Sequence, residues 1–151
     1  KRNQKNVERW LNQHSKNTEQ EFAKLSDIDQ LNIMYAGMGG NTQPGDGYKY
    51  RGRGGLHITH RDAYQEFAKY VHRPDVNNPD LVANDPKLAA QSAVWYWTIY
   101  RLKAEPKLRK YAQQGNWDQV RRIVNGGSIG KASFEQKVKN YQKGKGTLMK
   151  Q

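Results

Sequence analysis

The chain has no cysteine in 151 residues, which excludes disulfide staples and cysteine-ligated metal sites. Export stays open, because a domain of this length can be stable without disulfides. No apolar run approaches the roughly 20 residues of a membrane span, so no membrane insertion is expected. Hydrophobic residues are scarce at 35% and mean hydropathy is −1.09. Acidic residues are scarcer still, 14 against 26 Lys and Arg, which leaves a net charge of +12. No signal peptide is visible, and the first residue is Lys rather than Met, so the start is expected to be a processing site or the boundary of a longer polypeptide.

What is present argues for a folded domain. Four Trp, nine Tyr and three Phe are more aromatics than disordered chains carry. The length fits a single domain over 1–151 with a modest core. The charge suits an anionic partner: nucleic acid, an anionic membrane surface or an anionic cell-wall polymer. It is spread along the chain, with mild concentration at residues 101–110 and 131–150. No nucleic-acid motif is recognisable and the arginines are scattered, so no nucleic acid is expected as partner.

Hydrophobic periodicity predicts a mainly α fold. Short amphipathic helices are expected over 7–13, 19–25 and 27–35, the second opened by a Ser15/Asn17/Thr18 cap cluster. Residues 37–47 (GMGGNTQPGDG) read as a long loop, in which Asp46 serves a turn. A helix follows over 61–71, then an ordered polar loop over 73–85. Asp85 and Pro86 are placed to cap and open the next helix. That helix, 87–102, should be buried on most sides, because Leu88, Ala89, Ser92, Val94, Trp95, Trp97, Ile99 and Leu102 cover nearly its circumference. Its WYW triplet is read as core. Further helices are expected at 107–113, 117–124 and 134–141, with a frayed tail over 144–151.

Between loop and helix lies GYKYRGRGGLHIT, residues 47–59. Four glycines there permit positive φ and close backbone approach to a ligand. The alternation of Leu56 and Ile58 with His57 and Thr59 predicts a short half-buried strand with the latter pair on one face. Tyr48 and Tyr50 offer flat amphipathic rings that suit sugar faces as well as cores. By itself the stretch reads equally as a glycine-rich hairpin with solvated arginines.

Four ordered blocks resemble glycoside hydrolase family 19, the chitinases and related bacterial and phage lysozymes (endolysins). They are MYAGMGGN, GDGYKYRGRGGLHIT, NPDLVANDPKLAAQSAVWYW and VRRIVNGG. The resemblance spans about residues 20–143. It implies a lysozyme-like α-helical fold with the short glycine-rich strand or hairpin lining a cleft. It implies that Tyr50, Arg53, His57 and Thr59 line the floor of a sugar site, and that Asn125 turns its amide toward the same cleft. An amide donates and accepts, as a substrate acetamido group does; the alternative role for Asn125 is a helix C-cap.

Two departures stand out. His57 occupies the family's usual glutamine position and could make similar hydrogen bonds. With His60 it forms HxxH, a spacing at a strand-to-helix junction that suits metal poorly, so neither metal nor cofactor is expected. The family's carboxylate pair, one protonating the leaving oxygen and one activating water, starts in an HE(S/T) motif that this chain lacks. Glu8, Glu19 and Glu21 are the only glutamates before the glycine strand; each is a weak catalytic candidate and otherwise a solvated helix-surface carboxylate. The resemblance therefore implies a domain whose N-terminal, glutamate-bearing part is missing.

The expected function is a peptidoglycan hydrolase, a lysozyme or muramidase cleaving β-1,4 bonds between N-acetylated sugars with inversion. It would act as an exported effector or lysin domain, secreted or delivered to the periplasm or cell wall. Its partners would be peptidoglycan glycan strands and the anionic wall surface. The alternatives are a chitinase on β-1,4-linked N-acetylglucosamine and a catalytically silent wall-binding module.

Overall fold

The structure is a computed structural model of the whole chain, and it describes residues 2–13, 18–125, 136 and 139–140. Almost all of the regular structure is helical, as expected from the sequence. Contacts gather the chain into two compact units, Lys1–Tyr96 and Trp97–Gln151.

In the first unit, α1 (Arg2–Leu11), α2 (Glu19–Lys24) and α3 (Asp27–Tyr35) lead to a glycine-rich loop and the one-turn helix α4 (Asp46–Lys49). Then come α5 (Arg61–Tyr70), a 3-10 turn Pro74–Asn77, α6 (Pro79–Asn84) and α7 (Pro86–Trp95). Thr18 and Asp85 cap as expected from the sequence, and Ser26 adds a cap that was not expected. Thr18 accepts from the Glu21 amide at 3.1 Å, and Ser26 accepts from Asp29 at 3.2 Å. Asp85 accepts from Lys87 and Leu88 at 2.8 and 3.2 Å. Each satisfies an N-terminal amide that the helix itself leaves without a partner.

α5 is capped from a distance. Its own N-cap residue, His60, offers no side-chain bond. The Oδ1 of Asn41, from the glycine-rich loop, instead accepts from the Arg61 amide at 3.0 Å. The Nδ2 of Asn41 donates to the Tyr35 carbonyl at 3.2 Å and lies 3.4 Å from His60 Nδ1. Burial holds His60 below its ordinary pKa, against the opposite pull of Asp62, so the neutral ring can accept that proton. Asn41 is only 2% exposed, and its amide is spent on three internal partners. An Asn41→Ala variant leaves the Arg61 amide and the Tyr35 carbonyl without those bonds. It is expected to lower stability by about 2–4 kcal/mol, read as a lower urea midpoint at unchanged slope.

The core of this unit is built from Ile58, Ala63, Tyr64, Phe67, Val76, Val82, Leu88 and Trp95. Phe67 and Trp95 meet at 5.3 Å between ring centroids, so the first residue of the WYW triplet is core, as its spacing predicts.

The second unit begins at Trp97, inside a π-helical turn Tyr96–Tyr100, and continues through α8 (Arg101–Ala104), α9 (Lys107–Gln113) and α10 (Trp117–Asn125). α9 turns Leu108, Tyr111 and Ala112 inward, with Leu108 fully buried. α9 packs on both α8 and α10. The helix expected over 134–141 and the tail over 144–151 lie outside the described residues, apart from helical 136 and 139–140.

Three local expectations are corrected. The polar loop at 73–85 contains a helix, α6, with Pro79 in its first turn and Asn78 capping Asp80 at 3.1 Å. Six residues are too few to show a helical period, which is why the cap and the proline were its only signals. The helical run expected over 87–102 is present with a π-helical turn inside it, but it is not buried on most sides: Val94 at 60% and Ile99 at 43% face solvent. Hydrophobicity around a helix does not bury a side that no neighbour covers. GDGYKY contains α4, where only loop and strand were expected.

Candidate functional site

The glycine stretch forms a tight reversal and no strand. Arg53 and Ile58 make one antiparallel bridge, with amide-to-carbonyl distances of 3.3 and 3.0 Å. Residues 54–57 are the turn, closed by His57 N–H donating to Gly54 C=O at 3.2 Å. Ile58 is fully buried, but Leu56 is exposed and His57 stands on the turn at φ 51°. Four turn residues leave no room for the pleat that alternation assumed.

Each predicted binding residue can now be placed. Tyr50 is 4% exposed, packed at 5.7 Å against Tyr64. The Arg61 guanidinium lies 4.9 Å from its ring centre. Arg53 is 8% exposed: Nη1 donates to the carbonyls of Lys49 and Arg51 at 2.7 and 3.3 Å, and Nη2 pairs with Asp80 at 2.7 Å. Both side chains point into the protein. His57 is exposed, and Thr59 is half-buried with its hydroxyl donating to the His57 carbonyl at 2.8 Å. Asn125 ends α10 in the other unit, and its side chain lies outside the described residues.

The glycines serve the protein's own packing. Gly54 has φ +76°, and a Cβ there would sit 2.4 Å from Ser92 Oγ of α7 and 3.2 Å from Val82 of α6. The close approach expected for a ligand is taken by two helices. Together with Arg53–Asp80 it explains why the YRGRG and NPDL blocks occur together: they are the two sides of one joint.

Asp46 is the residue sequence reasoning most undervalued. It is 3% exposed and takes a two-pronged ion pair from Arg61, with Nη2 at 2.5 and 2.6 Å from its two oxygens and Nε at 3.2 Å. It also accepts from the Gln43 amide at 3.0 Å, so the turn role holds as well. Burial alone would raise its pKa. The bonds from Arg61 and the Gln43 and Thr42 amides outweigh that and hold it below the ordinary 3.8. Nearby, burial raises the Tyr64 phenol and keeps it protonated, and it donates to the Arg51 carbonyl at 3.0 Å.

The principal groove of the first unit has a volume of about 900 Å³. Its walls are α3 and the 36–47 loop, with Trp10 of α1, Leu25, Ile33 and Pro44 as apolar lining and Asp29, Asn32, Thr42 and Gln43 as polar lining. Tyr50, Arg53, His57 and Thr59 are not among its lining residues. Of the four, Arg53 supports it at one remove: its bond to the Lys49 carbonyl and the Asp46–Arg61 pair fix α4, which closes the groove through Gly47. Of these lining residues the sequence singled out none. The only signal was the MYAGMGGN block, residues 34–41, whose Ala36, Gly37 and Asn41 also line the groove and which Asn32, Thr42 and Gln43 flank.

The weak carboxylate candidates are spread over α1 and α2. Glu8 and Glu19 line a second, smaller groove of about 340 Å³ with Val7, Leu11 and Phe22. Glu21 is exposed and paired with Lys24 at 2.7 Å.

A mainly helical body, with a glycine-bracketed loop and tight hairpin beside a polar-and-aromatic groove, defines the lysozyme-like helical fold class. The chain belongs to glycoside hydrolase family 19. The family pattern described as chitinase class I matches residues 32–122. A glycosyl hydrolase family 19 domain-containing protein of Haemophilus influenzae is 37% identical over 113 residues, 74% of this chain and 50% of that protein. Endochitinase 4 of Solanum tuberosum is 43% identical over 51 residues, 34% of this chain and 17% of its own length. Chitinase 11 of Oryza sativa subsp. japonica is 44% identical over 48 residues, 32% and 19% respectively. The chain spans half or less of the length of these relatives.

Proposed function

We propose that the domain binds and cleaves β-1,4-linked N-acetylated glycan, with bacterial peptidoglycan as substrate, in a secreted or wall-delivered lytic protein. The observation that carries this reading is the groove beside the MYAGMGGN loop. An indole at one wall can stack on a sugar face, and the amides of Asn32 and Gln43 match the donor and acceptor of an acetamido group. Its volume is in the range of ligand sites. Family membership supports glycan as the substrate class. The net charge of +12 favours an anionic wall over neutral chitin. The plant relatives, whose names are endochitinase and chitinase, keep chitin as the second reading.

The reaction of this reading is inverting hydrolysis by a carboxyl pair about 6.5–9.5 Å apart. Within the described residues Glu8 and Glu19 share one groove, and Asp29 stands in the larger one. Removing a general acid costs about 10²–10⁴ in rate. Product analysis of digests of peptidoglycan and of N-acetylglucosamine oligomers is expected to show muropeptides from the first and no cleavage of the second. In the same assay Trp10→Ala should weaken glycan binding by on the order of tenfold. Cleavage of the oligomers alone would transfer the assignment to chitin. Retention on insoluble peptidoglycan with no turnover, from a chain extended upstream of Lys1, would leave a binding module.

A further inference from the structure

The charge of the chain is divided unequally between its two units. Residues 1–96 hold thirteen Lys and Arg against eleven Asp and Glu, whereas residues 97–151 hold thirteen against three. Ten of the twelve net positive charges therefore belong to the second unit. Among the described residues, ion pairs engage only some of the cations in either unit. In the first unit Lys24, Arg53, Arg61 and Arg73 each have their own carboxylate. In the second, Arg121 and Arg122 share one, Asp118. Lys103 of α8 and Lys107, Arg109 and Lys110 of α9 are exposed, and have no ion pair among the described residues.

We infer that this α8–α9 surface, whose residues are not among those lining the glycan groove, is an electrostatic seat for a linear anionic wall polymer. The polymer chemistry is one phosphate or carboxylate per repeat. The inference rests on the proposed wall substrate only for the choice of polymer.

Four features select that partner. Lys107 and Lys110 stand three residues apart, about 4.5 Å along the axis, close enough to engage neighbouring anions of one strand. Three of the four cations are lysines, point charges without the planar fork with which arginine recognises a single phosphate, so the surface reads charge density. The aromatic residues described in this unit, Trp97, Tyr100, Tyr111 and Trp117, are half-buried and none of them is exposed. Nucleic-acid strands are held by exposed stacking platforms as well as by charge, and such platforms are missing among the described residues. A membrane-surface helix needs an outward apolar face. α9 turns its apolar side inward, with Leu108 fully buried.

The test uses the full chain and a Lys103→Gln, Lys107→Gln, Arg109→Gln, Lys110→Gln variant. Retention is measured against salt on intact sacculi, on sacculi stripped of their anionic polymers, and on immobilised poly(glycerol phosphate) and polyglucuronate. The variant should bind intact sacculi on the order of tenfold more weakly. Its log–log salt slope should fall by about 3, at roughly 0.7 per contact with a single-stranded polyanion. On stripped sacculi the two proteins should bind alike. The two soluble-polymer arms decide between phosphate and carboxylate. A Lys107→Gln, Lys110→Gln variant, with two exposed changes on one helix, should show about half the slope change and guards against misfolding of the larger variant. Equal retention of wild type and variant on intact sacculi overturns the inference. So does tighter binding of wild type to single-stranded DNA or to anionic vesicles than to either polymer at the same salt. Turnover is scored separately. Hydrolysis without polymer retention sinks this inference alone, and retention without hydrolysis sinks the hydrolase reading alone.

Discussion

Replacing Asp46 by Ala should lower stability by about 3–5 kcal/mol, as much as truncating a buried core aromatic. The reason is the partner left behind. Arg61 holds both Asp46 oxygens and is three-quarters buried in its side chain, beside the Tyr50 ring. Without the carboxylate its charge has no counterpart in a place where water compensates poorly. Domains of this size carry about 5–15 kcal/mol in total, so the variant should melt on the order of 10 °C lower. Asp46→Asn restores the shape and one acceptor but not the charge, and should recover only part of the loss.

The same pair sets an acid limit. The Asp46 pKa is held below its ordinary 3.8 in the folded protein, so the unfolded chain takes up the proton first. Its contribution is complete above about 3.8 and is lost as pH falls through the folded value. Urea titrations from pH 7 downward should therefore show a constant gap between wild type and Asp46→Ala until that point, then a narrowing one. A gap that narrowed already between pH 7 and 5 would contradict this account.

Gly47→Ala should be comparably damaging for a steric reason. A Cβ at Gly47 would lie 2.3 Å from the Leu31 carbonyl oxygen and 2.6 Å from the Asn32 Cα. Both are backbone atoms of α3 and cannot swing aside as a side chain end can. α4 must move away from α3, which also breaks the bond from the Tyr48 amide to Asn32 Oδ1, now 2.8 Å. Overpacking costs about 1–3 kcal/mol and the lost bond about 1 more, so a loss of about 2–4 kcal/mol is expected. Gly47 and Asn32 both line the groove, so glycan binding should weaken in the same variant. The check is to measure both on one preparation. Full stability with normal binding would mean that α3 and α4 are not held this closely.

Much of the fold could be read from residues alone. Thr18 and Asp85 announce helix starts because a short polar side chain before an apolar run has one favourable use there. Trp95 and Phe67 announce core through helical spacing. The site was less legible. The glycine hairpin was correctly marked as special, yet Tyr50 and Arg53 turn inward. A sequence states that an arginine is needed, but not whether its five donors face a ligand or the protein's own carbonyls. Asn41 and Arg61 gave no signal, because their partners are 20 and 15 residues away. Charge was legible as a total and in its mild concentration at 101–110 and 131–150, but the unit boundary was not, since Tyr96/Trp97 falls inside a helical run.

By itself, then, the sequence determined what local patterns can carry: a helical chain, its capped starts, its basic surplus and four blocks in the order of one glycosidase family. Only the tertiary structure decided which residues those blocks bind to. It made Arg53, Asp80, Gly54 and Ser92 into a joint, Asp46 and Arg61 into a clamp, and α3 with the 36–47 loop into a groove. The physical reason is that helix periods and caps act over three or four residues, whereas burial and ion pairing depend on which distant segment arrives beside them.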